Sequence, residues 1–422
     1  MTIFIDGAIK GEKAKILIVK VLSNYAYGKL LEIIEKSDMR ENVDCATYQR
    51  CGGCNLRHMK YEETLKLKEN IVKTCFYKAL NEDIAIQECI GMENPIGYRN
   101  KLVYPVRVNK DGKIIMGVFA KRSHNIIETN RCFLQNSKNE EIANYTLKLL
   151  RHYDVLAYDE ENKTGSICHI MIRNGYRTGE VMLVIVSKTN CIPNEKKIVD
   201  DIRNTYPEVK TIIKNINEKE TNVILGDTNV VLYGRGYIYD IIEKYKFKIS
   251  PLSFYQINPI QTEILYKKAI EFSGLTGNEV VFDLYCGVGT IGILATKKAK
   301  KVYGIETVKQ AIDDAKENAK NNNIKNIEFI MGDVENVLPN LVKKDEADVV
   351  FIDPPRKGCD RKTIETLLNM KPRKLVYVSC NPATLARDVS ILKQFYDIKK
   401  IQPVDMFPFT SHVECVSLLC LK

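Results

Sequence analysis

The sequence predicts an α/β protein whose last part is an open, mainly parallel sheet flanked by helices and whose middle part is a central α+β domain. Three observations lead there. From Glu279 onward, short apolar, β-branched runs alternate with stretches of helical periodicity, as parallel strands joined by crossover helices require. Several of those runs end on or near residues with chemistry: Glu306, Asp333, Asp353 and Cys380. Before residue 250 the pattern changes to one long helical stretch, Tyr61 to Leu80, and then strands separated by turn signals such as Asn109-Lys-Asp-Gly112, Asn174-Gly175 and Gly226-Asp227.

At 422 residues, 45% of them hydrophobic, the chain has room for two or three packed domains, with expected boundaries at 1–44, 45–250 and 251–422. No apolar stretch is long enough to cross a bilayer, and Met1-Thr-Ile-Phe-Ile-Asp6 lacks the basic start and cleavage site of a secretory signal. A cytoplasmic monomer with no membrane association is expected. In that compartment 13 cysteines, an odd number, point to thiols, metal ligation or catalysis rather than a disulfide framework. The formal charge of +10 lies mostly before residue 250 and suits a polyanionic partner, although a solvated exterior would look the same.

The parallel strands are expected at Val280–Leu284, Lys301–Ile305, Ile327–Met331, Asp348–Ile352 and Lys374–Val378. Two further runs, Ile398–Asp405 and His412–Leu421, have no helix between them and read as an antiparallel pair closing one edge. The first strand ends Asp283-Leu-Tyr-Cys-Gly-Val-Gly-Thr-Ile-Gly292, whose glycines permit a tight turn and close approach of backbone to a ligand. Alone this run also spells the GxGxxG of a nicotinamide site, and Glu306 suits either cofactor. Glu306, Asp333 and Asp353 together break the tie. A ring of carboxylates rewards a ribose, an adenine amine and a sulfonium cation, and it repels a pyrophosphate.

Ligands of open α/β sheets bind beyond the carboxyl ends of the strands, where Cys380 sits in Ser379-Cys-Asn-Pro382. A buried structural thiol is the plain alternative. Against it, Pro382 stops the strand sharply and the helix expected from about Thr384 would bring its N-terminus near the thiol. In the first half, Cys45, Cys51, Cys54 and Cys132 supply four soft ligands, and Gly52-Gly53 lets the loop between two of them fold tightly. Spacing permits a tetrahedral zinc site or a cubane iron-sulfur cluster. Tyr98-Arg-Asn-Lys101 and Phe119-Ala-Lys-Arg-Ser-His124 interleave aromatic and basic residues, as stacking on bases and contact with phosphate require.

Asp283-Leu-Tyr-Cys-Gly-Val-Gly-Thr290, Asp353-Pro-Pro-Arg-Lys-Gly358, Ser379-Cys-Asn-Pro-Ala-Thr-Leu-Ala-Arg-Asp388 and His412-Val-Glu-Cys-Val416 resemble, in order and spacing, the RNA 5-methyluridine methyltransferases. Ser253-Phe-Tyr-Gln-Ile-Asn258 is similar to the segment preceding that family's catalytic domain. The resemblance implies a class I, Rossmann-like S-adenosylmethionine methyltransferase domain at 251–422, with Gln256, Tyr285, Glu306 and Asp353 contacting S-adenosylmethionine. Asp333 stands where relatives carry Asn or Asp. It implies Cys380 as nucleophile and Glu414 as proton acceptor. Carbon 5 of uracil is too weak a nucleophile to take a methyl group unaided, whereas a thiolate added at carbon 6 makes it an enolate; the proton on carbon 5 must then leave before the thiolate departs.

Cys51-Gly-Gly-Cys-Asn-Leu-Arg-His-Met59 resembles the [4Fe-4S] segment of cluster-bearing members, which implies Cys45, Cys51, Cys54 and Cys132 as ligands and 23S ribosomal RNA as substrate, with the transfer-RNA T-loop as the alternative. Lys15–Lys20 and Asn24–Ile33 resemble the last strands of the TRAM β-barrel, its opening strands missing. A non-catalytic iron-sulfur RNA-binding protein is the rival from another class, and a nicotinamide oxidoreductase a further one.

Overall fold

In the computed structural model, which describes residues 1–422, the first three strands stand apart from the rest. β1 (Thr2–Ile5), β2 (Lys13–Val21) and β3 (Tyr25–Glu35) form a sheet in the order β1-β3-β2, with β1 parallel and β2 antiparallel to β3. Where a partial TRAM-like segment is expected, the sheet is open and no closed barrel forms. Three strands cannot close on themselves, so Phe4, Leu17, Val19, Val21, Leu31 and Ile34 remain exposed. β1 has no counterpart in the sequence reading.

Helix α1 (Tyr61–Leu80) follows, with Asn81 in the left-handed conformation at its C-cap. Thr64, Lys68, Val72 and Phe76 recur every fourth residue and form its buried stripe. The central domain is a seven-stranded sheet in the order β10-β9-β8-β7-β4-β5-β6: β4 (Lys101–Val108), β5 (Ile114–Phe119), β6 (Ile126–Glu128), β7 (Ile167–Asn174), β8 (Val181–Ser187), β9 (Val209–Ile216) and β10 (Thr228–Gly234). Helices α2 (Ser137–His152) and α3 (Glu195–Thr205) cover one face, burying Ile142, Leu150, Ile198 and Ile202 against Leu102, Ile170 and Ile212. On the other face Met171, Met182, Val184 and Ile213 join the core of the catalytic part.

That core also takes in the hairpin β11 (Ile238–Ile242) and β12 (Tyr245–Ile249), which packs through Phe247 and Ile249 with residues of the last sheet. The hydrophobic core of the catalytic part thus reaches back to residue 238. The remaining elements are α4 (Pro259–Ser273), β13 (Val280–Leu284), α5 (Thr290–Ala295), β14 (Lys301–Glu306), α6 (Lys309–Asn321), β15 (Ile327–Met331), α7 (Val334–Lys344), β16 (Val349–Ile352), α8 (Arg361–Met370), β17 (Lys374–Ser379), α9 (Pro382–Leu392), β18 (Tyr396–Val404) and β19 (Glu414–Leu421). The sheet order is β15-β14-β13-β16-β17-β19-β18, and β19 alone runs antiparallel to its neighbours. Successive strand residues turn to opposite faces: Val281, Phe351 and Val376 enter one core, Phe282, Val350 and Leu375 the other.

The N-terminal half is tied into this sheet. Helix α1 lies on α9, and Val72 and Phe76 join the second core. Lys68 on α1 and Asp405, just after β18, form an ion pair with both side chains inaccessible to solvent. Tyr61 Oη donates to the same carboxylate at 2.7 Å, and Lys68 Nζ also donates to the Phe407 carbonyl at 3.0 Å. Removing one partner of such a pair strands the other charge in the core. Lys68→Met is therefore expected to lower stability by about 3–5 kcal/mol, measured by urea denaturation.

Candidate active site on the carboxyl rim of the sheet

Strand β13 ends in three left-handed residues: Tyr285 (φ 63°), Gly287 (φ 55°) and Gly289 (φ 81°). For tyrosine this conformation is costly, and such strain persists where the surrounding structure holds it. At Gly289 a Cβ would lie 2.7 Å from the Phe329 ring, so no side chain fits. The turn opens amides toward Glu306 at the end of β14: its carboxylate accepts from Gly287 N at 3.1 Å and from Val308 N at 2.9 Å.

The sheet order reverses between β13 and β16, the place where open α/β sheets bind ligands. There Gln256, Tyr285 and Asp353 line one cavity together with Gly287, Thr290 and Tyr266. Glu306 borders it through Gly287. Asp333 is exposed just beyond the end of β15, where its backbone carbonyl starts α7. Gln256 is positioned from the central domain, since Asn100 Nδ2 donates to its carbonyl at 2.9 Å.

Asp283 is a site residue that the sequence reading does not assign. Its carboxyl is fully buried under the glycine turn; Oδ2 accepts from Gly292 N at 2.8 Å and Oδ1 has no partner. Burial pushes its pKa up to about 8. The left-handed cradle, the unpartnered Oδ1 and the acceptors Glu306 and Asp353 fit S-adenosylmethionine, which carries a ribose, amines and a cation.

Further along the same rim, β17 and β19 pair with Ser379 opposite Cys415, so the next step of the ladder brings Cys380 opposite Glu414. Cys380 immediately precedes Asn381, whose side chain caps α9 at Ala383 N; the helix begins at Pro382, two residues earlier than expected. Burial, then the nearby Glu414 and Asp353, push the Cys380 thiol up, while the Arg356 guanidinium opposes them. Glu414 is 3% exposed, and its pKa rises to about 8 through burial and then the Asp353 charge. Burial raises Asp353 to about 7. The rim thus holds a thiol and a proton-avid carboxylate side by side.

Arg356 is a second residue missed from sequence. Its place within Asp-Pro-Pro-Arg, directly after a strand that ends on the rim, is the signal that could have found it. Asn381 Nδ2 and Thr384 Oγ1 donate to its carbonyl, Arg387 donates to the Lys357 and Cys359 carbonyls, and Asp388 accepts from Cys359 N and Tyr377 Oη. Cys359 is buried within this brace, in keeping with a structural role.

In the first half, Cys54 and Cys132 pack together on Met92, Tyr98, Leu134 and Phe409. Burial, and next the neighbouring Cys132, push Cys54 up to about 12. Cys51 lies near them on the loop, whereas Cys45 Sγ contacts Thr47 Oγ1 at 3.4 Å. The four cysteines expected to ligate one cluster are not assembled: no three metal-ligating side chains converge. Gathering four thiols in an apolar site costs burial and mutual repulsion, which Cys54 already registers. Two guanidinium nitrogens nearby lack partners. Arg57 Nη1 and Arg99 Nε are buried without a hydrogen bond, and both guanidinia act on Cys54.

The same segment grips the loop before Glu414. Asn55 N and Leu56 N donate to the Phe409 carbonyl at 3.1 and 3.0 Å, the Asn55 side chain exchanges hydrogen bonds with Ser411, and Phe409 itself is left-handed (φ 63°). Tyr98, in the run that interleaves aromatic and basic residues, is buried with its hydroxyl on the Pro408 carbonyl.

A glycine cradle at the switch point of a largely parallel sheet, with carboxylates along its rim, defines a class I S-adenosylmethionine-dependent methyltransferase. The chain is similar over 99% of its length to the Pyrococcus abyssi tRNA (uracil-54, C5)-methyltransferase, solved with S-adenosyl-L-homocysteine (26% identity, 95% of that chain covered, TM-score 0.81). The tRNA (uracil-5-)-methyltransferase family profile matches residues 231–422. Uncharacterized RNA methyltransferases of Clostridium tetani and Bacillus cereus are 47% and 44% identical over 99% of this chain and 91% of theirs. The chain belongs to the RNA uracil-5-methyltransferase family and is an S-adenosylmethionine-dependent enzyme acting on RNA. No helix is long and apolar enough to cross a membrane.

The buried carboxyls set a pH signature. Asp283, Asp353 and Glu414 hold protons up to about 7 to 8 in the folded chain, against about 4 for exposed carboxyls. Between those limits the folded state binds more protons than the unfolded one, so these groups make stability fall as pH rises. Glu414→Gln is expected to raise the melting temperature at pH 8–9 and to change it little near pH 4, read from thermal melts across that range.

Proposed function

We propose that this enzyme methylates carbon 5 of a uridine in 23S ribosomal RNA, with Cys380 as nucleophile and Glu414 as base. The observation that carries the reading is the β17–β19 ladder, whose next pair is Cys380 and Glu414, beside a cleft lined by Gln256, Tyr285 and Asp353. S-adenosylmethionine, when bound in that cleft, supplies the methyl group. Gln256, Tyr285, Glu306, Asp333 and Asp353 would hold it.

Cys380 Sγ forms a bond to carbon 6 of a uracil unstacked from the RNA, and the electron pair moved to carbon 5 takes the methyl group. Arg356 and the N-terminus of α9 favour the thiolate that this step needs. Glu414 then removes the proton from carbon 5, the carbon 5–carbon 6 double bond re-forms, and the thiolate leaves. A carboxylate desolvated as Glu414 is has the raised proton affinity this step uses.

We further propose that Cys45, Cys51, Cys54 and Cys132 hold a [4Fe-4S] cluster. Its support is the unpartnered Arg57 Nη1 and Arg99 Nε beside Cys54, which an anionic thiolate-bound cluster would satisfy. Metal sites of this kind form together with their metal. With four protein ligands, its role would be to fix the loop that bears Arg57 and to position RNA.

A second target is favoured by one observation: the P. abyssi protein matched over 99% of this chain acts, by its name, on transfer RNA. Methylation of a T-loop uridine is therefore the alternative substrate.

Cys380→Ala is expected to abolish methyl transfer while leaving S-adenosylhomocysteine binding intact, and Glu414→Gln to accumulate a denaturant-resistant protein–RNA adduct. Full turnover by Cys380→Ala would overturn the mechanism. Mapping 5-methyluridine in 23S and transfer RNA of cells lacking the gene decides the substrate. For the cluster, anaerobically purified protein is expected to contain iron and acid-labile sulfide in equal amounts, lost in Cys54→Ser; zinc without sulfide would refute it.

A further inference from the structure

Several charged groups in the interior of this protein are paired across elements. Lys68 meets Asp405, Lys248 meets Asp314, Lys214 meets Glu195 and Arg40 meets Glu12. A like-charged pair lies where β4 meets β7. Lys101 and Arg173 stand directly opposite each other in that antiparallel ladder, so their side chains share one face of the sheet. It is the face of Met171 and Met182, turned toward the catalytic part. Arg173 is 6% exposed and its Nε has no hydrogen-bond partner. No carboxylate acts on either group: burial alone lowers Arg173 to about 10, and burial followed by Arg173 lowers Lys101 to about 8.

Like charges directly opposed across two strands destabilise a sheet, and burial deepens the cost. Nothing within the protein offsets it here. The arrangement is what an anion site requires: a planar fork of donors and a point charge converging on one spot, with Lys101 only part-buried and so open to approach. The position ties it to the reaction. Asn100, next to Lys101, donates through its backbone N to the Ile257 carbonyl and through Nδ2 to the Gln256 carbonyl, both at 2.9 Å, and its own carbonyl accepts from Asn174 N, next to Arg173. The two cations are thus joined by short backbone links to the segment that lines the cofactor cleft, without lining it themselves.

We propose that Lys101 and Arg173 form a clamp for one phosphodiester of the RNA substrate, holding the strand against the central sheet while its uracil enters the rim. This rests on the reading of the protein as an RNA-modifying enzyme and adds a binding site to it. Of the run Tyr98-Arg-Asn-Lys101, only Lys101 is then an RNA contact: Tyr98 is enclosed, Arg99 lies beside the cysteines, and Asn100 braces Gln256.

The test uses the full chain carrying Lys101→Gln or Arg173→Gln. Affinity for a transfer-RNA transcript and a 23S ribosomal RNA fragment is measured over a salt series, S-adenosylhomocysteine affinity by calorimetry, and melting temperature without RNA. Each variant is expected to bind RNA about tenfold more weakly, with the slope of log affinity against log salt reduced by about one. S-adenosylhomocysteine affinity is expected to stay unchanged, and the melting temperature to rise, because an uncompensated buried charge is gone. Unchanged RNA affinity and slope would overturn the clamp. So would weaker S-adenosylhomocysteine binding with RNA binding intact, which would make the pair a carboxylate subsite for the cofactor. RNA binding is read without turnover, so failure of uracil methylation in the parent enzyme is a separate outcome. If Arg173→Gln does not fold, Lys101→Gln, at the part-buried position, carries the test.

Discussion

Strand β19 runs against both of its neighbours, and the reactive geometry depends on that reversal. A parallel strand in its position would bring its last residues to the carboxyl rim; the antiparallel one brings its first, Glu414, beside Cys380. The hydrogen-bonded ladder from Lys374–Cys420 to Ser379–Cys415 fixes this juxtaposition to a single register, since a slip of one residue would turn Glu414 to the other face and Val413 or Cys415 to the thiol. The core on both faces enforces that register. Val416 and Leu418 belong to one hydrophobic cluster, Cys415 and Leu419 to the other.

The same rim explains why carboxylates so costly to bury are retained. Asp283, Asp353 and Glu414 lie at the ends of buried strands, where the sheet is dry but the ligand cleft begins. In water each would be an ordinary exposed acid; here desolvation makes each a strong proton acceptor. Arg356 is the counterweight, close enough to oppose the upward shifts of both Cys380 and Glu414. Its backbone is braced by α9 through Asn381 and Thr384, which ties the cation to the helix terminus beside Cys380.

Much of this is legible in the sequence. The parallel strands are found within a residue or two of expectation because a buried parallel strand is an unbroken apolar run, and α1 spans the expected Tyr61–Leu80 because its apolar stripe recurs at helical spacing. Residues at strand ends are equally readable, which is why Tyr285, Asp353, Cys380 and Glu414 are found along one rim of the sheet. What escapes is contact at long range. Local pattern does not say that three strands at the start of the chain stay open, or that the cysteines stop short of convergence. Nor can it pair Lys101 with Arg173, since each is an ordinary basic residue until the sheet sets them opposite each other.

The hold of Asn55 and Leu56 on the Phe409–Ser411 loop bears on how the enzyme is made. The side chains of Asn55 and Ser411 are 356 positions apart in the chain. Contacts of such separation form late, because the intervening chain must first be closed into a loop. The cysteine-bearing segment is synthesised early and must wait, with Phe409 still to come, before the loop leading to Glu414 is locked. Seating of Glu414 is therefore a terminal folding event. A chain halted before that loop is made has the cofactor cradle but lacks Glu414 and the strand that closes the sheet over it.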